Sequence, residues 1–134
     1  LALEAAQLNC ERHKIQERVV LLEGDLLDRV AEPVDIVVSN PPYIATEDIP
    51  DLPISVLHEP LEALDGGKDG LEVIRSLIPQ ALKKLRRTGG LVVEISPLQR
   101  DQICHMAEKM LPMQSFKVVA DLMGRDRALL ATMT

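Results

Sequence analysis

The residues best placed to do chemistry are Asn40-Pro41-Pro42-Tyr43, which close an apolar run and include the one tyrosine of a 134-residue chain. Proline has no backbone N–H and cannot donate to a sheet ladder, so a strand that reaches Asn40 must stop there. The Asn40 side chain offers a carbonyl acceptor and an amide donor. The Pro41 carbonyl is free to accept and is held stiffly by two rings, and Tyr43 supplies a flat face. Two acceptors beside a flat wall suit a planar –NH2 group, as in an amide or the exocyclic amine of a base. Such a nitrogen is a weak nucleophile because its lone pair is delocalised. Acceptors on its hydrogens raise its electron density and aim the lone pair at an electrophile, which is catalysis by placement and by favouring developing charge. No His or Cys adjoins the motif as a general base, which disfavours a hydrolase. The competing reading is a turn that merely ends a strand.

Other residues carry weaker signals. Glu59-Pro60 and Asp65-Gly66-Gly67 are expected in the pocket wall, the glycines permitting a tight turn. Gly66-Gly67 is a poor phosphate cradle, since that needs a helix N-terminus directly behind a strand. His13, His58 and His105 have no metal-ligand spacing, and no metal is expected. Cys10 and Cys104 form no CxxC pair and read as reduced thiols of a cytoplasmic protein. Arg127 is expected to pair with Asp121 and Asp126, or else to meet substrate.

These residues must be positioned by strands and helices in alternation. "LALEAAQLNCERHK" reads as an opening helix with Ala2, Ala5, Ala6 and Leu8 at helical spacing. "RVVLLEGD" (Arg18–Asp25) and "PVDIVVSN" (Pro33–Asn40) read as strands, the second apolar enough to be covered on both faces. A loop rich in Pro, Asp and Glu runs from Pro41 to about Lys68, a length that points to function. A helix is expected from a cap at Asp69, boxed by Glu72, through an inner face of Leu71, Ile74, Ile78, Leu82 and Leu85. Pro79 should kink it and Gly89-Gly90 should end it, with Lys83-Lys84 and Arg86-Arg87 in its last turns complementing the dipole. "GLVVEIS" is the next strand. Ser96-Pro97 with Gln99 starts a helix carrying Ile103, Met106, Ala107, Met110 and Leu111 inward. "SFKVVAD" and "RALLATM" should then form an antiparallel hairpin around Gly124. The whole reads as an α/β, mostly parallel sheet ending in an antiparallel pair, with ligands beyond the carboxyl ends of its strands. Asp25 and Asn40 both lie at such ends.

Composition narrows the partners. Hydrophobic residues make up 46% of the chain, enough for a packed core, and a net charge of -6 is a poor match to nucleic-acid phosphates. No run approaches the ~20 apolar residues of a membrane span.

In order and spacing, "EGDLL", "DIVVSNPPYI", "HEPLEALDGGKDGL", "GGLVVEIS" with Gln99, and "DLMGRDRALL" resemble the release factor glutamine methyltransferases. These are class I enzymes using S-adenosylmethionine (SAM), and "EPLEALDGGKDGL" separates them from other NPPY methyltransferases. The resemblance covers essentially the whole chain. It implies a Rossmann-like fold and transfer of the SAM methyl group to the glutamine side-chain amide nitrogen in the GGQ loop of a peptide-chain release factor. It further implies that Asn40 and Pro41 hold the amide hydrogens as the catalytic pair, with Pro42 and Tyr43 as the rest of the substrate pocket. Asp25 would lie near the adenine amine, Leu26 against the adenine, and Asn40 at the cofactor's border. The family's glycine-rich SAM loop, its ribose-binding acidic residue and its helical recognition domain would lie before Leu1. On that reading residues 1–134 are a partial catalytic domain, incomplete at the N-terminus, that binds SAM poorly alone. "PVDIVVSN" would then expose a long apolar edge. The alternatives are adenine-N6 methylation of DNA or RNA, which NPPY also serves and the acidic charge disfavours, and an inactive truncated product.

Overall fold

The apolar run ahead of Asn40 forms β1 (Val34–Ser39), and the rest of the sheet is placed from it. In the computed structural model, which describes residues 1–111 and 115–133, β1 is followed across the sheet by β2 (Leu85–Glu94), then β4 (Asp126–Thr132), then β3 (Ser115–Ala120). β1 runs parallel to β2, with Ser39 opposite Val93. β4 runs antiparallel to both β2 and β3. The α/β order and the terminal hairpin are as read from sequence. Three of the four described strands, β1, β2 and β3, run in one direction, as a mostly parallel sheet should, and β4 alone opposes them. α-Helices connect β1 to β2 and β2 to β3, and β4 inserts between β2 and β3 against the direction of both.

The crossover helix is α4 (Glu72–Lys84), and α5 (Arg100–Met110) follows β2. Ile74, Leu77, Ile78 and Ala81 of α4, with Ile103, Met106 and Ala107 of α5, are buried among the core residues. Across from them, the period-two alternation of β2 buries Leu91 and Val93, and β4 adds Leu129 and Ala131. Burying a side chain of this size contributes about 1.5–3 kcal/mol, so this layer holds the sheet to its helices. β1 is less covered than its composition implies: Val37 is buried, but Ile36 and Val38 are 63% and 73% exposed on an edge strand.

Two boundaries differ from the sequence reading. α4 begins at Glu72, not Asp69, because Glu72 Oε1 accepts the Lys68 N–H (3.1 Å) and Asp69 Oδ1 accepts the Leu71 N–H (3.1 Å), which holds a turn there. α4 also ends at Lys84, and Leu85 is already extended at φ -71°, ψ 138°. Gly89-Gly90 therefore lies in β2, as do Arg86 and Arg87. Leu85 pairs with Val34 and Gly90 with Ile36, so four residues of β2 bulge opposite Asp35. Arg86 Nη1 bridges to both carboxylate oxygens of that aspartate at 2.8 Å. Pro79 is accommodated within α4.

Residues Leu1–Ala31 form one compact unit and Glu32–Thr134 another. The first holds α1 (Ala2–His13), closed by Lys14 in the left-handed conformation, with Cys10 as its buried residue. A short 3-10 turn, Gln16–Arg18, follows. Val19 is extended, yet no ladder among the described residues includes Arg18–Asp25, so the expected strand does not form there. Val20 is 82% exposed. An extended apolar segment becomes a strand only where a neighbour takes its N–H and C=O groups.

Candidate active site

β1 delivers Asn40 at its carboxyl end, and Pro41-Pro42 stop the ladder as their chemistry requires. Asn40 is exposed, Pro41 is buried, and Pro42 and Tyr43 are half-buried. Among the described residues, neither the Asn40 carboxamide nor the Pro41 carbonyl has a hydrogen-bond partner. Both are left available.

The segment after Tyr43 is stitched to the loop before α4. Ile44 donates to the Leu64 carbonyl (3.1 Å) and accepts from the Gly66 N–H (2.8 Å), an isolated parallel bridge. Asp65 Oδ1 accepts from the Thr46 hydroxyl (2.7 Å) and from the Gly67 N–H (2.9 Å). Between these two lines the long loop is folded rather than open, with a 3-10 helix at Thr46–Asp51 and two single-turn helices, α2 (Ile54–Leu57) and α3 (Leu61–Leu64). The motif and the segment of α2 and α3 border a cavity of about 270 Å³, lined by Asn40, Pro41, Pro42, Tyr43, Ile44, Val56, Glu59, Ala63 and Leu64. All four motif residues thus meet at one hollow, with Glu59 as expected. Pro60 and Asp65-Gly66-Gly67 stand outside its lining; the latter three act through the backbone bridge and its flanking bonds, while the Pro60 carbonyl accepts the Ala63 N–H at the start of α3.

The Tyr43 hydroxyl donates to Glu94 Oε1 (3.3 Å) at the carboxyl end of β2. Burial raises the phenol above its ordinary value of 10.0, the Glu94 charge and hydrogen bond raise it further, and Arg127 opposes them. Tyr43 is therefore a neutral donor at physiological pH. Arg127 also approaches Asp121 (3.7 Å), as expected, but Asp126 pairs with Arg100 (2.8 Å), the nearer cation across the start of β4. Glu94 was legible by the rule that picked out Asn40, since their strands are parallel neighbours. Val56, Ala63 and Leu64 carry no sequence signal, because they sit on single turns inside a loop.

Asp25 and Leu26 belong to the first unit, on the turn that begins at Gly24. Leu26 is left-handed at φ 52°, uncommon for a bulky side chain.

Comparison with known proteins decides the relationship. Over 97% of its length the chain is 41% identical to the release factor glutamine methyltransferase of Moorella thermoacetica and 37% identical to that of Thermosynechococcus vestitus. This chain is homologous to the release factor glutamine methyltransferases. It spans about half the length of these relatives, 46% of each. The ribosomal protein uL3 glutamine methyltransferase of Neisseria gonorrhoeae is 43% identical over 94 residues, 70% of this chain and 31% of that one. No protein-family model matches. Solved methyltransferases share the Rossmann-like fold. The ribosomal protein L11 methylase of Lactobacillus delbrueckii aligns with TM-score 0.60 and 21% identity, over 97% of this chain and 51% of that one. E. cuniculi Mtq2 with Trm112 aligns with TM-score 0.56 and 20% identity, over 95% of this chain and 68% of that one. SMU.1697c of Streptococcus mutans, solved with SAH, aligns with TM-score 0.63 and 12% identity, over 99% and 70%.

Proposed function

We propose that the protein carrying this chain transfers a methyl group from SAM to the side-chain amide nitrogen of a glutamine in a protein of the translation apparatus. The observation that carries the reading is the pair of unpartnered acceptors, the Asn40 carboxamide oxygen and the Pro41 carbonyl, on a hollow walled by Pro42 and Tyr43. A glutamine amide has two hydrogens to give, and the corner has two acceptors to take them. Held so, the amide keeps its plane and turns its lone pair out of it. The transfer would form an N–C bond as the methyl–sulfur bond breaks, the electron pair staying on sulfur as a neutral thioether. Positive charge would rest on nitrogen until one amide proton departs. The two acceptors stabilise that charge while it develops.

Toward SAM the second unit offers the exposed Asn40 carboxamide at the carboxyl end of β1. When bound, SAM would supply a methyl group on a sulfonium. No described helix is long and apolar enough to cross a membrane.

The substrate favoured by the alignments, which cover 97% of this chain, is the glutamine of a release factor's GGQ loop, the relatives being named for release factor glutamine. A glutamine of ribosomal protein uL3 is the second reading, favoured by the 43% identity to the Neisseria enzyme. Incubation of the intact protein with isotope-labelled SAM and, separately, a release factor, uL3 and an adenine-bearing oligonucleotide separates the readings. Label on a release-factor glutamine is expected. Label on uL3 alone selects the second reading, and label only on the oligonucleotide overturns both.

A further inference from the structure

An anchoring problem is built into the motif. Pro41 and Pro42 remove two consecutive N–H donors, so this corner cannot be tied down by its own amides. Tying down the Pro41 carbonyl would consume an acceptor that the chemistry needs. The chain must be gripped elsewhere, and the grip has to come from a donor.

Gln99 is such a donor. It is the one buried polar side chain among the described residues, 8% exposed, and sits where a 3-10 turn leads into α5. From sequence it had only a capping role, and its Oε1 does accept the Ser96 N–H (3.4 Å). Its Nε2 turns the other way. It donates to the Tyr43 carbonyl (2.9 Å) and toward the Asp69 carbonyl (3.4 Å). One carboxamide thus joins the motif, the loop before α4 and the start of α5.

We infer that Gln99 is a positioning residue, which clamps the Tyr43 carbonyl so that the Asn40–Pro41 acceptors are held in place with nothing bound to them. As a statement about catalysis this rests on the reaction proposed above; as a statement about geometry it does not. The arrangement admits only a carboxamide of this length. A glutamate would set a carboxylate against two carbonyl oxygens, a methionine would give neither of them a donor, and an asparagine would fall short. Glycines close the clamp from the other side. A Cβ on Gly66 would stand 2.8 Å from the Tyr43 Cα, and one on Gly70 would stand 2.6 Å from Gln99 Nε2.

Within these 134 residues Tyr43 is the only tyrosine and there is no tryptophan, so in this chain its absorbance reports on the clamp without interference. The test takes Gln99→Glu and Gln99→Met, checks folding by circular dichroism, and titrates tyrosinate absorbance. In both folded variants the titration is expected to fall toward that of a free phenol, because Tyr43 loses its fixed place beside Glu94. In the intact protein kcat is expected to fall about tenfold or more, with KM for SAM within about twofold, as for a misplaced reacting group. An unchanged tyrosine titration in a folded variant overturns the clamp, whatever the activity. Unfolding of both variants also overturns it, since that would make Gln99 a general core residue. A parent protein that transfers no methyl group to protein glutamine would sink the proposed reaction, yet the tyrosine titration would still decide the clamp.

Discussion

Replacing Gly70 by alanine tests whether the loop before α4 presses on the Tyr43 backbone. Gly70 sits at φ +72°, a conformation that costs alanine about 1–2 kcal/mol. A Cβ there would also collide with the Tyr43 carbonyl oxygen and come within 3.1 Å of its carbon. That carbonyl cannot step aside cheaply, because Pro42 precedes it and Ile44 is bonded in both directions. Crowding of a packed site adds roughly 1–3 kcal/mol. Gly124 is the internal control, at φ +76° with nothing within 4 Å of an added Cβ. Gly124→Ala should therefore cost about 1 kcal/mol and Gly70→Ala about 3 kcal/mol. At roughly 3–4 °C per kcal/mol for a chain of this length, the two melting temperatures should separate by about 7 °C. Thermal unfolding followed by circular dichroism measures both. Equal losses in the two variants would refute the close approach, since the backbone cost alone would then account for Gly70.

Three further expectations follow from the same geometry. Leu91→Ala, at a residue 1% exposed in the middle of β2, should cost about 2–5 kcal/mol in a urea titration. Arg86→Ala should cost less than about 1 kcal/mol despite its 2.8 Å pair with Asp35, because both side chains are more than half exposed. The Tyr43 phenol is raised by burial first and Glu94 next, so folding favours its neutral form. That stabilisation is full below the ordinary value of 10.0 and is lost as pH rises through the higher folded value. Glu94→Gln should move the tyrosinate titration down and narrow this window, and Arg127→Met should move it up.

The parts of the fold legible in sequence were those fixed by local chemistry. Two prolines had to end β1, Ser96-Pro97-x-Gln99 had to start a helix, and Gly124 had to turn a hairpin. What failed depended on partners. Arg18–Asp25 has the composition of a strand but no ladder to join, and Gly89-Gly90 reads as a helix end until the pairing of Ile36 claims Gly90 for β2. The site divides the same way. Asn40, Pro41, Pro42 and Tyr43 were readable because strand ends and donor inventories are properties of the residues themselves. Val56, Ala63 and the donors of Gln99 were not, because only the folded loop brings them to the motif.

The central claim is that the Asn40 carboxamide and the Pro41 carbonyl hold an amide by its hydrogens during transfer. The measurement that bears on it most directly is methyl transfer to a protein glutamine by Asn40→Ala in the intact protein. A loss of about a hundredfold or more in kcat is expected, the scale of removing one preorganised polar group. Transfer at the parental rate would contradict the account.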